Sequence, residues 1–301
     1  MKRAIKLLSV SGAIFALAAC QSYGKQISLQ HANQLLESFA EKEDPNVYTE
    51  STSITIKSSS DVAVNKTSFS TTKALYSVSI NLDKLFFHSK ASSKTDTRIV
   101  NDYDNASTYF ERWFFYKEGY LFKAEYLDSR TAKPSKTYTK STMSIESAKK
   151  YLKETTSSII SNVSVSMGIE PTSVINYSTL LTTIDETIYT ENNISEDDVI
   201  VQKETKFFSK NDTNLSAVFK RHAKYEKPKT NLNPNRPQSF TFDLSLSQTV
   251  NDCCFSNSST SYKTVLVDNY GFKSTTTYSS KSSSTKSCKV VIPNLSDFSQ
   301  D

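Results

Sequence analysis

The chain has 301 residues, a formal charge of +5 and five glycines, at positions 12, 24, 119, 168 and 271. That length holds one large domain or two ordinary ones. Hydrophobic residues at 37% and aromatics at 11% are too many for a disordered chain, although Ser and Thr fill about a quarter of it. Phosphate-cradling loops need clustered glycines so that backbone N–H groups can approach the anion. The spacing here excludes a P-loop or a dinucleotide fingerprint.

The first residues explain the charge. Lys2, Arg3 and Lys6 form a positive head, and residues 7–19 are an apolar run broken only by Ser9, Ser11 and Gly12. A run of that length is too short for a hydrocarbon core of ~30 Å, which needs ~20 residues. It suits a signal-peptide core. The run ends in Leu17-Ala18-Ala19-Cys20, which resembles the lipobox of bacterial lipoproteins. The resemblance implies cleavage before Cys20 and acylation of its sulfur, with acyl chains that insert into the membrane at ~0.8 kcal/mol per buried CH₂. Residues 1–19 are then the signal peptide and 20–27 a tether. Loss of the three basic residues leaves a formal charge of +2, without the basic stripe of a nucleic-acid binder. The expected location is the extracytoplasmic face of the cell membrane, lipid-anchored, with no nucleic-acid partner.

The body, 28–301, reads as one domain. Ser28 caps a predicted helix to about residue 43, with Leu29, Ala32, Leu35, Leu36 and Phe39 on one face and Asp44-Pro45 as its stop. From 47 to 138 the period changes to two: 76–82 alternates apolar and polar side chains, 85–90 returns from it, and 109–127 folds as a hairpin at Lys117-Glu118-Gly119. Ser144 caps a second helix, with Ile145, Ala148, Leu152, Ile159, Val163 and Met167 as its stripe and Gly168 as its C-cap. Val174, Tyr177, Leu181, Ile184 and Ile188 predict a third helix. Strands are expected at 199–208, 215–225, 240–250, 263–267, 271–278 and 289–293, and a Ser/Thr-rich hairpin at 274–287. The pro-rich segment 227–237 is a surface loop within the domain.

Helix, antiparallel strands, two helices and more antiparallel strands exclude a parallel α/β sheet. This element order resembles the LolA/LppX family of lipoprotein-localisation proteins over most of 28–298. The resemblance implies an α+β fold, a large curved antiparallel sheet forming an open half-barrel of about eleven strands. That half-barrel would wrap an N-terminal helix and two mid-chain helices around a cavity for acyl chains.

Chemistry is sparsely signalled. His31, His88 and His222 lack zinc-binding spacing, no GxSxG marks a serine hydrolase, and Glu196-Asp197-Asp198 lacks the pattern of a calcium loop. A carboxylate-pair glycosidase leaves no short motif. No cofactor, metal or catalytic residue is expected. Cys253, Cys254 and Cys288 remain in an exported body, with Cys254–Cys288 as the candidate disulfide, worth ~3–4 kcal/mol by the chain-entropy argument, and buried free thiols as the alternative.

Aromatic residues carry the strongest functional signal. Trp113 and Phe115 point one way along their strand, Phe114 and Tyr116 the other. A sheet with one wet face alternates, so helices, a partner or a ligand must cover the second face. Trp113, Phe114 and Phe115 are therefore candidate walls of a pocket for a lipid-like ligand. The expected function is a non-enzymatic, lipid-anchored surface lipoprotein that binds or carries such a ligand. The alternatives are an adhesion or interaction module without a cavity, and an extracytoplasmic hydrolase.

Overall fold

A computed structural model describes residues 24–40, 46–63, 66–99, 102–130, 132–166, 194, 196–227, 236–251, 256–285 and 287–300. The strands are β1 (Lys25–Ile27), β2 (Val47–Ala63), β3 (Lys66–Asn81), β4 (Phe86–Ile99), β5 (Asp102–Lys117), β6 (Tyr120–Ser129) and β7 (Ala132–Thr142). They continue as β8 (Ile200–Ser209), β9 (Asn214–Glu226), β10 (Ser239–Asn251), β11 (Ser256–Val267), β12 (Lys273–Thr285) and β13 (Ser299–Gln300). The helices are α1 (Leu29–Ala40) and α2 (Ile145–Ser166).

All thirteen strands belong to one open sheet, in the order β1-β8-β9-β10-β11-β12-β2-β3-β4-β5-β6-β7-β13. Two meanders, β2–β7 and β8–β12, are joined where β12 pairs with β2. At each rim a short strand covers the last long one: β1 lies on β8, and β13 runs parallel to β7. Such short edge strands blunt pairing with other chains. Gly24, at φ +95°, leads into β1 so closely that an added Cβ would stand 2.3 Å from the Ser209 carbonyl oxygen.

The expected α+β half-barrel is corrected on two points. The described residues are predominantly β, and the sheet has thirteen strands where about eleven were expected. One mid-chain helix is seen; the other, over 174–188, lies outside the described residues, as do Asp44-Pro45 and Gly168. The excess of strand has a physical origin in Ser/Thr runs that look like low complexity. Paired hydroxyls join their neighbours, as in Thr72–Thr95 at 2.9 Å and Thr52–Ser282 at 3.1 Å.

Two strand expectations also change. The 274–287 hairpin is instead a single central strand, β12, flanked by β11 and β2. Residues 289–293 make no ladder; the segment 287–298 crosses the sheet as a strap that ends in β13. Residues 25–27, counted with the tether, are part of the sheet.

Local chemistry explains the elements that match. Ser28 Oγ accepts from the His31 N–H at 3.1 Å, and Ser144 Oγ from the Ser147 N–H at 3.2 Å, capping α1 and α2. Glu118 at φ +54° and Gly119 at φ +82° give the β5–β6 turn the two left-handed residues that a tight hairpin needs. Asn211 and Asp212, both at φ +54°, turn β8 into β9.

Both helices lie on one side of the sheet, the helix face. Ala148 and Leu152 of α2 pack on Val78, Ile80, Phe87 and Phe114. Ala32, Leu35 and Phe39 of α1 pack on Leu215, with Phe207 and Val250 beside them, so α1 crosses to the far meander. A third cluster, Tyr225, Phe240, Phe242 and Leu244, is covered by Ile194. On the opposite side, the open face, a buried apolar cluster lies at β4–β7. There the strap lays Val290, Leu295 and Phe298 over Phe86, Trp113, Phe115 and Ala124.

Candidate functional site

Cross-strand registers identify which side chains share the open face. Ser247, Ser259, Lys281, Ser53, Leu75, Ser92 and Tyr109 stand opposite one another in succession from β10 to β5. A neighbouring row runs Thr249, Asn257, Ser283, Ser51, Ser77 and Lys90. Period two places both rows on one face. A cleft of about 690 Å³ is lined from six consecutive strands, β10 through β4, mostly by these rows. A second, of about 340 Å³, shares Leu75 with it and continues across β4 and β5 to Asp128 of β6. One cleft touched by six strands requires the sheet to bend into a trough there.

A third cleft of about 860 Å³ lies over β8–β12 and contains His222 and Asp243. His222 Nδ1 and Asp243 Oδ1 are 2.6 Å apart across the β9–β10 ladder. A second histidine–carboxylate pair, His88 Nε2 with Glu111 Oε1 at 2.7 Å, sits near the strap, and Tyr109 donates its hydroxyl proton to the other Glu111 oxygen. The His88 ring stacks on Trp113 at 5.2 Å. His31 pairs with Asp212 at 3.0 Å, which ties α1 to the β8–β9 turn. Each histidine thus has a carboxylate partner, and no cluster of three or more metal-ligating side chains occurs among the described residues.

On the helix face stands a half-buried acid, Glu50. Glu50 accepts a hydrogen bond from Ser282 Oγ at 3.3 Å. Burial pushes its carboxyl above the usual carboxylate range, partly offset by that bond. Between the unfolded and the raised folded value, the folded chain holds the extra proton, so stability falls as pH rises through that window. The variant Glu50→Gln is therefore expected to match the parent in urea midpoint at about pH 4 and to exceed it at about pH 7. Parallel midpoints across that range would contradict the assignment.

The expected wall residues separate. Phe114 faces α2, with its ring 6.0 Å from Tyr151. Trp113 and Phe115 face the strap, where Phe298 meets the indole edge-on at 5.9 Å. Trp113 is 9% exposed and the other two 2%, and none of the three lines the three clefts above. The chain itself covers both sides of the strand at 113–115. Cys20, Cys253 and Cys254 lie outside the described residues. Cys288 is a half-buried thiol in the strap, its pKa raised by burial. Glu196–Asp198 form a 3-10 turn, and Asp198 accepts from Arg236 at 2.6 Å.

The trough was missed at the sequence level. Its lysines share a parity within each strand, but which strands adjoin depends on the β12–β2 junction. No protein-family model matches the chain, and a comparison with curated proteins finds no match.

Proposed function

We propose that this is a lipid-anchored, extracytoplasmic protein of the cell membrane that acts by binding through its exposed sheet rather than by catalysis. The anchor reading rests on Leu17-Ala18-Ala19-Cys20 after a basic head and an apolar run. The binding reading rests on one observation. The aromatic walls expected for an apolar pocket are filled by α2 and the strap, whereas the clefts open on a hydroxyl- and lysine-rich face. An interaction module at the surface therefore fits better than a carrier of lipid-like ligands.

Cell fractionation tests the anchor. Cys20→Ala is expected to lose incorporation of a labelled fatty acid and to move from the membrane to the soluble fraction. A variant that stays in the membrane and takes up label would refute the lipid anchor. Protease added to intact cells should clip the wild-type protein. Native mass spectrometry of the purified chain that shows a stoichiometric acyl lipid, beyond the covalent anchor, would restore the carrier reading.

A further inference from the structure

We propose that the open-face trough binds an extended, carboxylated polysaccharide. The inference deepens the binding reading above and depends on it.

Charge supplies the first argument. Lys73, Lys90 and Lys281 line the two joined clefts, all three are exposed, and no carboxylate among the described residues lies within ion-pair distance of any of them. Lys94, at the far wall, is paired with Asp96 at 3.3 Å. The one acid among the residues that line these clefts is Asp128. Glu111 stands across the ladder from Lys90, and Asp96 lies in the field of Lys73. Glu111, however, is engaged by His88 and Tyr109, so the lysines outnumber the acids left to face them, and the concavity carries positive potential that draws an anion in.

The wall chemistry selects among anions. Between the lysines stand Ser51, Ser53, Ser77, Ser259 and Ser283. A hydroxyl donates one hydrogen bond and accepts others, as sugar hydroxyls do. Leu75, 60% exposed at the junction of the two clefts, offers an apolar contact for the C–H face of a sugar ring. Single-stranded nucleic acid instead needs free aromatic faces for base stacking. The Tyr109 ring in the trough is already faced by the Lys90 ammonium at 5.2 Å. An acidic peptide docks most readily by adding a strand to a sheet edge, and β1 and β13 cover both rims.

Shape supplies the last argument. From β10 to β6 the joined clefts cross eight strands. At ~4.8 Å per strand this is a path of ~34 Å, long enough for several sugar residues. A bilayer surface is flat and cannot follow a trough.

The test is calorimetric titration of the detergent-solubilised full chain with polygalacturonate, with amylose, poly-L-glutamate and oligo-dT as comparison probes. Polygalacturonate is expected to bind, to weaken as salt rises, and to weaken at least ~10-fold in the double variant Lys90→Glu/Lys281→Glu. The neutral pair Lys90→Gln/Lys281→Gln should show a smaller loss, and it serves as the reading if the charge reversal disturbs the circular-dichroism spectrum. Amylose should not bind. Absence of polygalacturonate binding, indifference to both variants, or tighter binding of poly-L-glutamate or oligo-dT would each overturn the proposal. A protein that stays acylated and protease-accessible on cells yet ignores polygalacturonate refutes this inference alone; one that is neither refutes the underlying reading.

Discussion

Trp113→Ala is expected to destabilise the protein by ~3–5 kcal/mol, the cost of deleting a large aromatic from a packed core. That is a large share of the ~5–15 kcal/mol that holds a typical domain folded. The indole is sandwiched between the His88 ring and the edge of Phe298, with Phe86 and Phe115 in the same cluster. The cluster exists because the strap returns from β12 across the open face to β7. Thr49 Oγ donates to the Ser287 carbonyl at 2.6 Å at the start of that path, and Ser299 Oγ to the Lys136 carbonyl at 3.0 Å at its end. Truncation after residue 286 should therefore act in the same direction. Because Trp113 is the single tryptophan, its emission should shift to the red in the truncated chain. A truncated chain with the parent's emission and urea midpoint would show that the strap does not cover this strand.

Phe39→Ala is the second large effect, again ~3–5 kcal/mol. Phe39 is 2% exposed and, with Ala32 and Leu35, packs on Leu215 from the opposite meander. Among the described residues, the β1–β8 ladder and the His31–Asp212 pair also tie the N-terminal segment down. Loss of the ring should release β1 and α1 before the rest of the sheet opens. Hydrogen exchange reads this directly, through faster exchange of the β1 and β8 ladder amides at rates that leave β3–β5 unchanged. Uniform acceleration over the whole sheet would mean that α1 is not a separable unit.

Much of the local structure was legible. Ser28 and Ser144 announced both helix starts, Gly119 the β5–β6 hairpin, and 76–82 the alternation of a strand with one buried face. These signals work because caps, turns and pleats depend on residues a few positions apart. The Ser/Thr-rich segments were harder. Serine has little intrinsic preference for a strand, unlike the β-branched threonine beside it, and its strand state comes from neighbours such as the Ser51–Ser283 pair, 3.2 Å apart in space and 232 residues apart in sequence. The same separation hid the trough, whose opposite walls belong to β10 and β4.

The aromatic run at 113–115 shows the division most clearly. Its sequence required that both faces of one strand be covered, because an exposed Trp or Phe row loses the hydrophobic gain of folding. It did not say by what. The tertiary structure assigns one face to α2 and the other to the C-terminal strap, so that Trp113, Phe114 and Phe115 pack against the chain itself.

By itself the amino-acid order determined the basic head and apolar run that end at Cys20, the scattered glycines, the helix caps and the pleated segments, all of which are short-range properties. Only the tertiary structure decided the seam between β12 and β2, the crossing of α1 and the strap to opposite meanders, and the gathering of Lys73, Lys90 and Lys281 in one trough. Pairing of distant strands is set by the burial of whole faces. No window of neighbouring residues contains that information.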